Sequence, residues 1–301
     1  MTATDSTAWY ADVRDESLLR PDGRTVAWTR AGTPGDISVL RLPGTPGSRW
    51  LVRAERSLWA ERGLEVITSE RPGFGASTRL PGRGFAEHAD DLAAVLDHLG
   101  FDRVRVIGTS GGAPHLLALA ARHPDRVAAA TVLVGQAPVV EDEIEQMIEL
   151  NQQTNRLSAA GDVAGVRAVL TEPYESMRAD PLAGFTKLMA HAPASDRDVM
   201  TDPYWRAMFD RGVRNAFVQG IDGWVDETLA LVTGWAEIDL DAVRASVTWW
   251  HAAADRNCPI TAAARVVARL PAGTLRDLGD GGHFAPYRRE GEILDELLAR
   301  G

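Results

Sequence analysis

The sequence predicts an α/β fold on three observations: a mostly parallel, doubly wound sheet with a helical cap inserted between two late core strands. Short β-branched runs alternate with helix-forming stretches over residues 1–137 and again over 239–301. That alternation is the pattern of parallel strands joined by crossover helices, with both faces of the sheet covered. One junction, Val104 to Arg122, passes from strand to helix through a turn built almost wholly of small residues. Between about Pro138 and Ile238 the alternation stops, and roughly a hundred residues offer no convincing strand.

In chain order, Leu18–Arg30 reads as a hairpin, with Pro21 and Asp22 suited to the turn and Gly23 supplying a positive φ. A strand over Ile37–Leu42 leads into Pro43-Gly44-Thr45-Pro46-Gly47-Ser48. A helix is expected over Leu51–Arg62, then a strand over Leu64–Ser69 and the turn-rich loop Glu70 to Ser77. The spacing of Ala89, Leu92, Leu96 and Leu99 along one face predicts a helix over Phe85–Leu99. Val104–Ile107 is a buried strand, and Leu116–Ala121 are good helix formers closed by Arg122 and Pro124. A strand over Val127–Val134 completes the first half.

The stretch 138–238 is the cap, with helices expected at Glu141–Leu157, Val163–Leu170, Tyr204–Phe217 and Trp224–Glu237. Its Met147, Met177, Met189, Met200 and Met208, with Trp205, Phe209, Phe217, Trp224 and Trp235, give it a core of its own. They also offer an adaptable apolar lining for a pocket, with Trp205, Phe209 and Trp224 as candidates. The acidic run Glu141–Glu145 suits the positive end of a helix dipole. Beyond the cap a strand is expected at Val247–His251, a helix at Thr261–Leu270, a strand at Leu275–Leu278 and a last helix at about Arg288–Ala299.

Composition narrows the class. The apolar fraction of 45% and charged fraction of 25% are those of an ordinary globule with a sizeable core. Net charge is −10, and the basic residues, nearly all Arg with Lys187 the only Lys, are scattered. Nucleic acid is therefore not expected as a partner. The single cysteine, Cys258, excludes an internal disulfide, and no zinc-type Cys/His spacing occurs, so no metal is expected. The start Met1-Thr-Ala-Thr-Asp-Ser-Thr lacks a basic, then apolar leader, and no apolar run approaches the ~20 residues that span a bilayer. The expectation is a soluble, cytoplasmic protein that takes a small-molecule substrate, without a membrane partner or cofactor.

The small-residue turn is Gly108-Thr109-Ser110-Gly111-Gly112. A turn sharp enough to strain its central residue needs small residues two positions before and after it, and Gly108 and Gly112 meet that need. This stretch resembles the nucleophile elbow of the α/β-hydrolase superfamily, with Ser110 as the nucleophile. Three further motifs join the resemblance, all within the core, about two-thirds of the chain. Asp255 follows a strand and has Pro259 four residues on, as in the family's acid loop. Gly279-Asp280-Gly-Gly-His283-Phe284 is similar to its Gly-His-Phe loop. Glu70-Arg71-Pro-Gly-Phe-Gly-Ala-Ser77 is similar to its Asp-x-x-Gly-Phe-Gly-x-Ser loop, with Glu for Asp.

What the resemblance implies is a Ser110–His283–Asp255 triad, since a serine hydroxyl needs a base and the base an orienting carboxylate. Asp280 competes with Asp255 for the acid role, and Asp255 has a second reading as a residue at a helix start near Thr261. Among the other histidines, His88, His98, His123 and His191 lie on predicted helices or their ends, and His251 at a strand end. His115, five residues past Ser110, is placed to line the pocket. The backbone N–H groups of Gly111 and Thr45 are implied as the oxyanion hole, with Gly44 and Phe284 beside the substrate. Relatives usually read His-Gly-x-Pro-Gly-Ser where this chain has Pro43, which leaves the packing of that loop open.

Serine at the elbow argues against epoxide hydrolases and haloalkane dehalogenases, which attack with Asp. The Gly-Thr-Ser-Gly-Gly sequence is unlike that of proline iminopeptidases, and the longer glycine-rich loop of carbon–carbon bond hydrolases is absent. The function implied is a serine hydrolase acting on an ester, thioester or lactone of a small, largely apolar molecule. Two alternatives stand beside it: a specialised biosynthetic member of the fold (cyclisation, decarboxylation or C–C cleavage) and a slow-turnover small-molecule binding protein.

Overall fold

The computed structural model describes residues 8–35, 37–190 and 192–300, so the amino-terminal leader reading and His191 lie outside the described residues. In order the chain forms β1 (Arg14–Leu19), β2 (Thr25–Gly32), β3 (Ile37–Leu42), α1 (Ser57–Ala60), β4 (Leu64–Ser69), α2 (Ala86–Leu99), β5 (Val104–Thr109), α3 (Gly112–Arg122) and β6 (Val127–Leu133). Seven helices follow: α4 (Glu141–Ile144), α5 (Glu149–Ala159), α6 (Val163–Ala179), α7 (Pro181–Leu188), α8 (Ala194–Val199), α9 (Pro203–Ala216) and α10 (Asp222–Thr233). The chain then completes the sheet with β7 (Ser246–His251), α11 (Ile260–Val267), β8 (Gly273–Asp277) and α12 (Glu290–Leu298).

The sheet has eight strands in the order β1-β2-β4-β3-β5-β6-β7-β8. β2 pairs antiparallel with both β1 and β4, and every pair from β4 to β8 is parallel. Alternation along the strands sorts side chains onto two faces, as a period of two requires. Leu40, Val106, Val132 and Trp249 pack with α2, α3 and α11. Val39, Ile107, Leu133 and Trp250 pack with Trp59 of α1 and Ile293, Leu294 and Leu297 of α12. A third apolar cluster, including Met177, Met200, Trp205, Phe209 and Trp224, sits within the helical segment between β6 and β7 and reaches Phe74. Among the described residues no helix is long and apolar enough to cross a membrane.

Local chemistry explains the element ends. Gly100 closes α2 in the left-handed region at φ 74, where its N–H and that of Phe101 satisfy the last carbonyls of the helix. Asp180 and Asp202 each accept two backbone N–H bonds at the starts of α7 and α9, with Pro181 and Pro203 at the first helical position.

Three expectations are corrected. The helix over Leu51–Arg62 shrinks to α1, because the stretch before it is held by arginine side chains instead. Arg49 bonds Asp15 and Glu70, and Arg53 bonds Glu290. The helix over Glu141–Leu157 breaks into α4 and α5 where Ile148 N–H donates to the Arg256 carbonyl at 2.9 Å. The helix over Val163–Leu170 instead runs to Ala179 through Pro173, its face held by buried Val166, Leu170 and Met177. Tertiary packing there outweighs the bond a proline removes.

Candidate active site

β5 turns into α3 at Ser110, whose φ is 51. That is costly backbone for a residue with a Cβ and persists only when its surroundings hold it. Here Ser110 N–H donates to the Leu133 carbonyl at 2.9 Å, and the Ser110 carbonyl accepts from Ala113 and Gln136, both at 3.0 Å. The turn has no room for larger neighbours. A Cβ on Gly108 would lie 2.8 Å from the Gly112 oxygen, and one on Gly112 would lie 2.2 Å from the Leu42 oxygen. Val134, at the end of β6, also has positive φ, 44, with its N–H on the Trp250 carbonyl at 2.8 Å.

Asp255 lies in the loop after β7 and is buried. Its Oδ1 accepts the N–H groups of Asn257 (2.8 Å) and Cys258 (3.1 Å), which leaves Oδ2 free to accept from His283 Nδ1 at 2.8 Å. Because the carboxylate oxygen accepts, Nδ1 carries the proton and Nε2 keeps a lone pair. Burial alone would lower the His283 pKa, but the Asp255 charge and hydrogen bond, with Asp196 beyond, raise it above its ordinary value. Asp280 is exposed and α11 starts after Pro259, whereas Asp255 Oδ2 is the carboxylate oxygen that meets His283.

The Pro43–Ser48 loop lies over the elbow. A Cβ on Gly44 would sit 3.2 Å from Ser110 Cβ, and one on Gly111 would sit 3.5 Å from the Thr45 nitrogen. The Thr45 nitrogen thereby lies beside Gly111, the first residue after Ser110. Behind them is a buried polar network that no local sequence signal announces. Arg71 donates to the carbonyls of Pro43 and Gly44, and Thr45 Oγ1 donates to Glu227 of α10 at 3.2 Å. Glu227 also pairs with Arg71, Arg83 and His115 Nε2. Burial would raise its pKa, yet the two guanidinium groups hold it well below the ordinary carboxylate range.

His115 is the correction among the pocket residues. It belongs to this network and not to the residues lining the cavity, its Nε2 lying 3.1 Å from Glu227 Oε1. Burial lowers its pKa to about 4, and its Nδ1 lies 3.0 Å from His88 Nδ1. His251 is buried between Trp249 Nε1–H and the Cys258 carbonyl.

Gly44, Thr45, Ser110, Gly111, Trp205, Phe209, Trp224, His283 and Phe284 all line one cavity of about 270 Å³. Trp205 and Phe209 stack with centroids 4.8 Å apart, and Phe284 meets Trp205 edge-on at 5.1 Å. Gln136, Asn151, Thr154, Asn155 and Thr228, with Arg41 and Glu290, add polar atoms to a largely apolar wall. Of the cap methionines named from sequence, Met147 and Met208 line the cavity, whereas Met177, Met189 and Met200 pack in the core of the helical segment.

Cys258 also reaches the cavity, where its thiol hydrogen bonds with Ser110; burial pushes that thiol well above 9. Donor atoms of Asp255, Cys258 and His283 lie within 4.8 Å of one another. The carboxylate and imidazole are already joined to each other, and a neutral thiol is a poor metal ligand, so this trio suits proton handling better than metal binding.

A family model described as alpha/beta hydrolase fold matches residues 37–289. A bifunctional esterase/perhydrolase of Acinetobacter calcoaceticus is 31% identical over 28% of this chain and 31% of its own length. A 2-hydroxy-6-oxononadienedioate/2-hydroxy-6-oxononatrienedioate hydrolase of Burkholderia vietnamiensis is 30% identical over 43% of this chain and 45% of its own. The chain thus spans under half the length of these curated relatives. A thermophilic esterase from Thermogutta terrifontis superposes with TM-score 0.65 at 18% identity, covering 95% of this chain and 98% of that one.

Proposed function

This chain belongs to the alpha/beta hydrolase fold family, and from that membership we propose that it is a serine hydrolase of esters, thioesters or lactones of small, largely apolar molecules. The observation that carries the reading is the 2.8 Å bond between His283 Nδ1 and Asp255 Oδ2, with His283 and the strained Ser110 lining the same cavity. His283 takes the Ser110 proton on Nε2 as Oγ attacks the acyl carbon, and Asp255 stabilises the imidazolium that forms. The amides of Thr45 and Gly111 receive the developing oxyanion. The imidazolium then protonates the leaving group, and water repeats the sequence to release the acid and free Ser110.

The aromatic wall of Phe185, Trp205, Phe209 and Phe284 supports an apolar acyl or aryl group beside His283. The helical stretch 138–238 acts as the cap that supplies Phe185, Trp205 and Phe209 to this wall, and Phe284 comes from the segment between β8 and α12. Two charged side chains on the cavity wall, Arg41 and Glu290, bond each other at 3.1 Å, and Glu290 also holds Arg53.

The test is a fluorophosphonate probe followed by intact mass, with Ser110→Ala and His283→Ala alongside. Stoichiometric labelling of the wild type, lost in both variants, is the expected result, followed by turnover of short aryl esters. A folded wild type that takes no label would overturn the reading in favour of a binding or biosynthetic role.

A further inference from the structure

Pro43 has neither an N–H nor a side-chain donor, so the loop over Ser110 has to be held from outside itself. Arg71 does this with both arms of its fork: Nη1 donates to the Pro43 carbonyl at 2.6 Å and Nη2 to the Gly44 carbonyl at 2.7 Å. In a trans peptide the C=O and the following N–H point in opposite directions. The Gly44–Thr45 bond is trans, the cis bond of this loop being Thr45–Pro46. Tying the Gly44 carbonyl to Arg71 therefore turns the Thr45 N–H away from Arg71, and the Thr45 nitrogen lies beside Gly111.

Arg71 is fixed in turn from the helical segment. Glu227 Oε1 lies 3.3 Å from Arg71 Nε and accepts from Thr45 Oγ1 at 3.2 Å, while its Oε2 pairs with Arg83. Arg71, Arg83 and Glu227 are all 4% exposed or less. Two guanidinium groups and one carboxylate thus meet behind Thr45, beside histidines that burial keeps neutral.

We propose that Arg71 and Glu227 are a positioning pair for the Thr45 amide: Arg71 aims it through the Gly44 carbonyl, and Glu227 clamps the same residue through its hydroxyl. Neither touches substrate. The inference rests on the serine hydrolase reading and adds that a residue of the helical segment sets the rate of the chemical step.

Wild type, Arg71→Met, Arg71→Lys and Glu227→Gln are compared for kcat and KM on an aryl ester. Each is also titrated with an arylboronic acid, whose tetrahedral serine adduct sets an oxygen against the Thr45 amide, and with the matching amide as a ground-state ligand. Circular dichroism and melting temperature establish which variants are folded. A lost oxyanion donor costs about 10²–10³ in kcat, so a donor merely mis-aimed is expected to cost about 30- to 100-fold. Boronate affinity should fall in parallel, with KM and amide affinity within about threefold. Arg71→Lys keeps the charge but not the two-carbonyl fork, and an intermediate loss of about tenfold is expected.

If Arg71→Met does not fold, Arg71→Lys and Glu227→Gln carry the comparison. Folded variants with unchanged kcat, or with boronate and amide weakened equally, overturn the positioning role while fluorophosphonate labelling of the wild type keeps the serine reading intact. A wild type that is not labelled overturns both.

Discussion

His283 Nδ1 and Asp255 Oδ2 stand 2.8 Å apart although 28 positions separate the residues in the chain. Two adjacent parallel strands make the meeting possible, since β7 and β8 deliver both loops to the same sheet edge. Asp255→Asn keeps the shape of the side chain but presents a donor where His283 needs an acceptor. A loss of about 10⁴ in kcat is expected, with the fold retained by circular dichroism. The base must be neutral to work, so kcat/KM should rise with pH through the His283 pKa, which lies above its ordinary 6.5. In the Asn variant that limb should move to lower pH, because burial then acts without the opposing carboxylate. A limb that stays in place would show that another group titrates.

The strain at Ser110 predicts an activity–stability split. Ser110→Ala and Ser110→Gly should both be inactive, but glycine adopts φ 51 without penalty. Urea denaturation should find Ser110→Gly the more stable of the two by about 1 kcal/mol. Equal midpoints would mean the turn relaxes at no cost.

Gly44→Ala tests crowding over the nucleophile. The added methyl group would approach Ser110 Cβ at 3.2 Å and Oγ at 3.8 Å, a contact tight enough to shift the hydroxyl by a few tenths of an ångström. Turnover should fall at least about tenfold with little change in melting temperature, since attack geometry is more sensitive than packing.

Cys258 should be silent toward thiol reagents. It is 5% exposed, and burial holds its thiol well above 9, so the reactive thiolate is scarce. Ellman's reagent should react with the urea-unfolded chain and leave the native protein untouched over the same period. Rapid native labelling would point to opening of the helical segment.

The sheet was legible because its strands are short β-branched, apolar runs bounded by turn residues such as Pro21-Asp22-Gly23. Ser110 and His283 were legible because each sits in a local motif, the small-residue turn and the Gly-Gly-His-Phe loop. Arg71 and Glu227 carry no such mark: one is an unexceptional position in a turn, the other a polar residue on a distant helix, and only the fold brings them together. His115 was misplaced for a related reason, since nearness in sequence to Ser110 says nothing about which side of α3 it occupies. Helices α7 and α8 escaped notice although Asp180-Pro181 is a usable start signal. The break between α4 and α5 had no signal, because it depends on a bond from Ile148 to Arg256 across the molecule.

That bond is one of several that lace the helical segment to the loops beneath it. Ile148 and Asn151 grip the carbonyls of Arg256 and Asn257, and Asp196 of α8 accepts the Phe284 N–H beside His283. The segment therefore cannot be treated as an interchangeable specificity cassette. A chimera that imports residues 138–238 from a relative without the matching loops should fold and yet leave the base slack, detectable as faster amide exchange at Phe284. Substrate range and catalytic rate in this chain are inherited together.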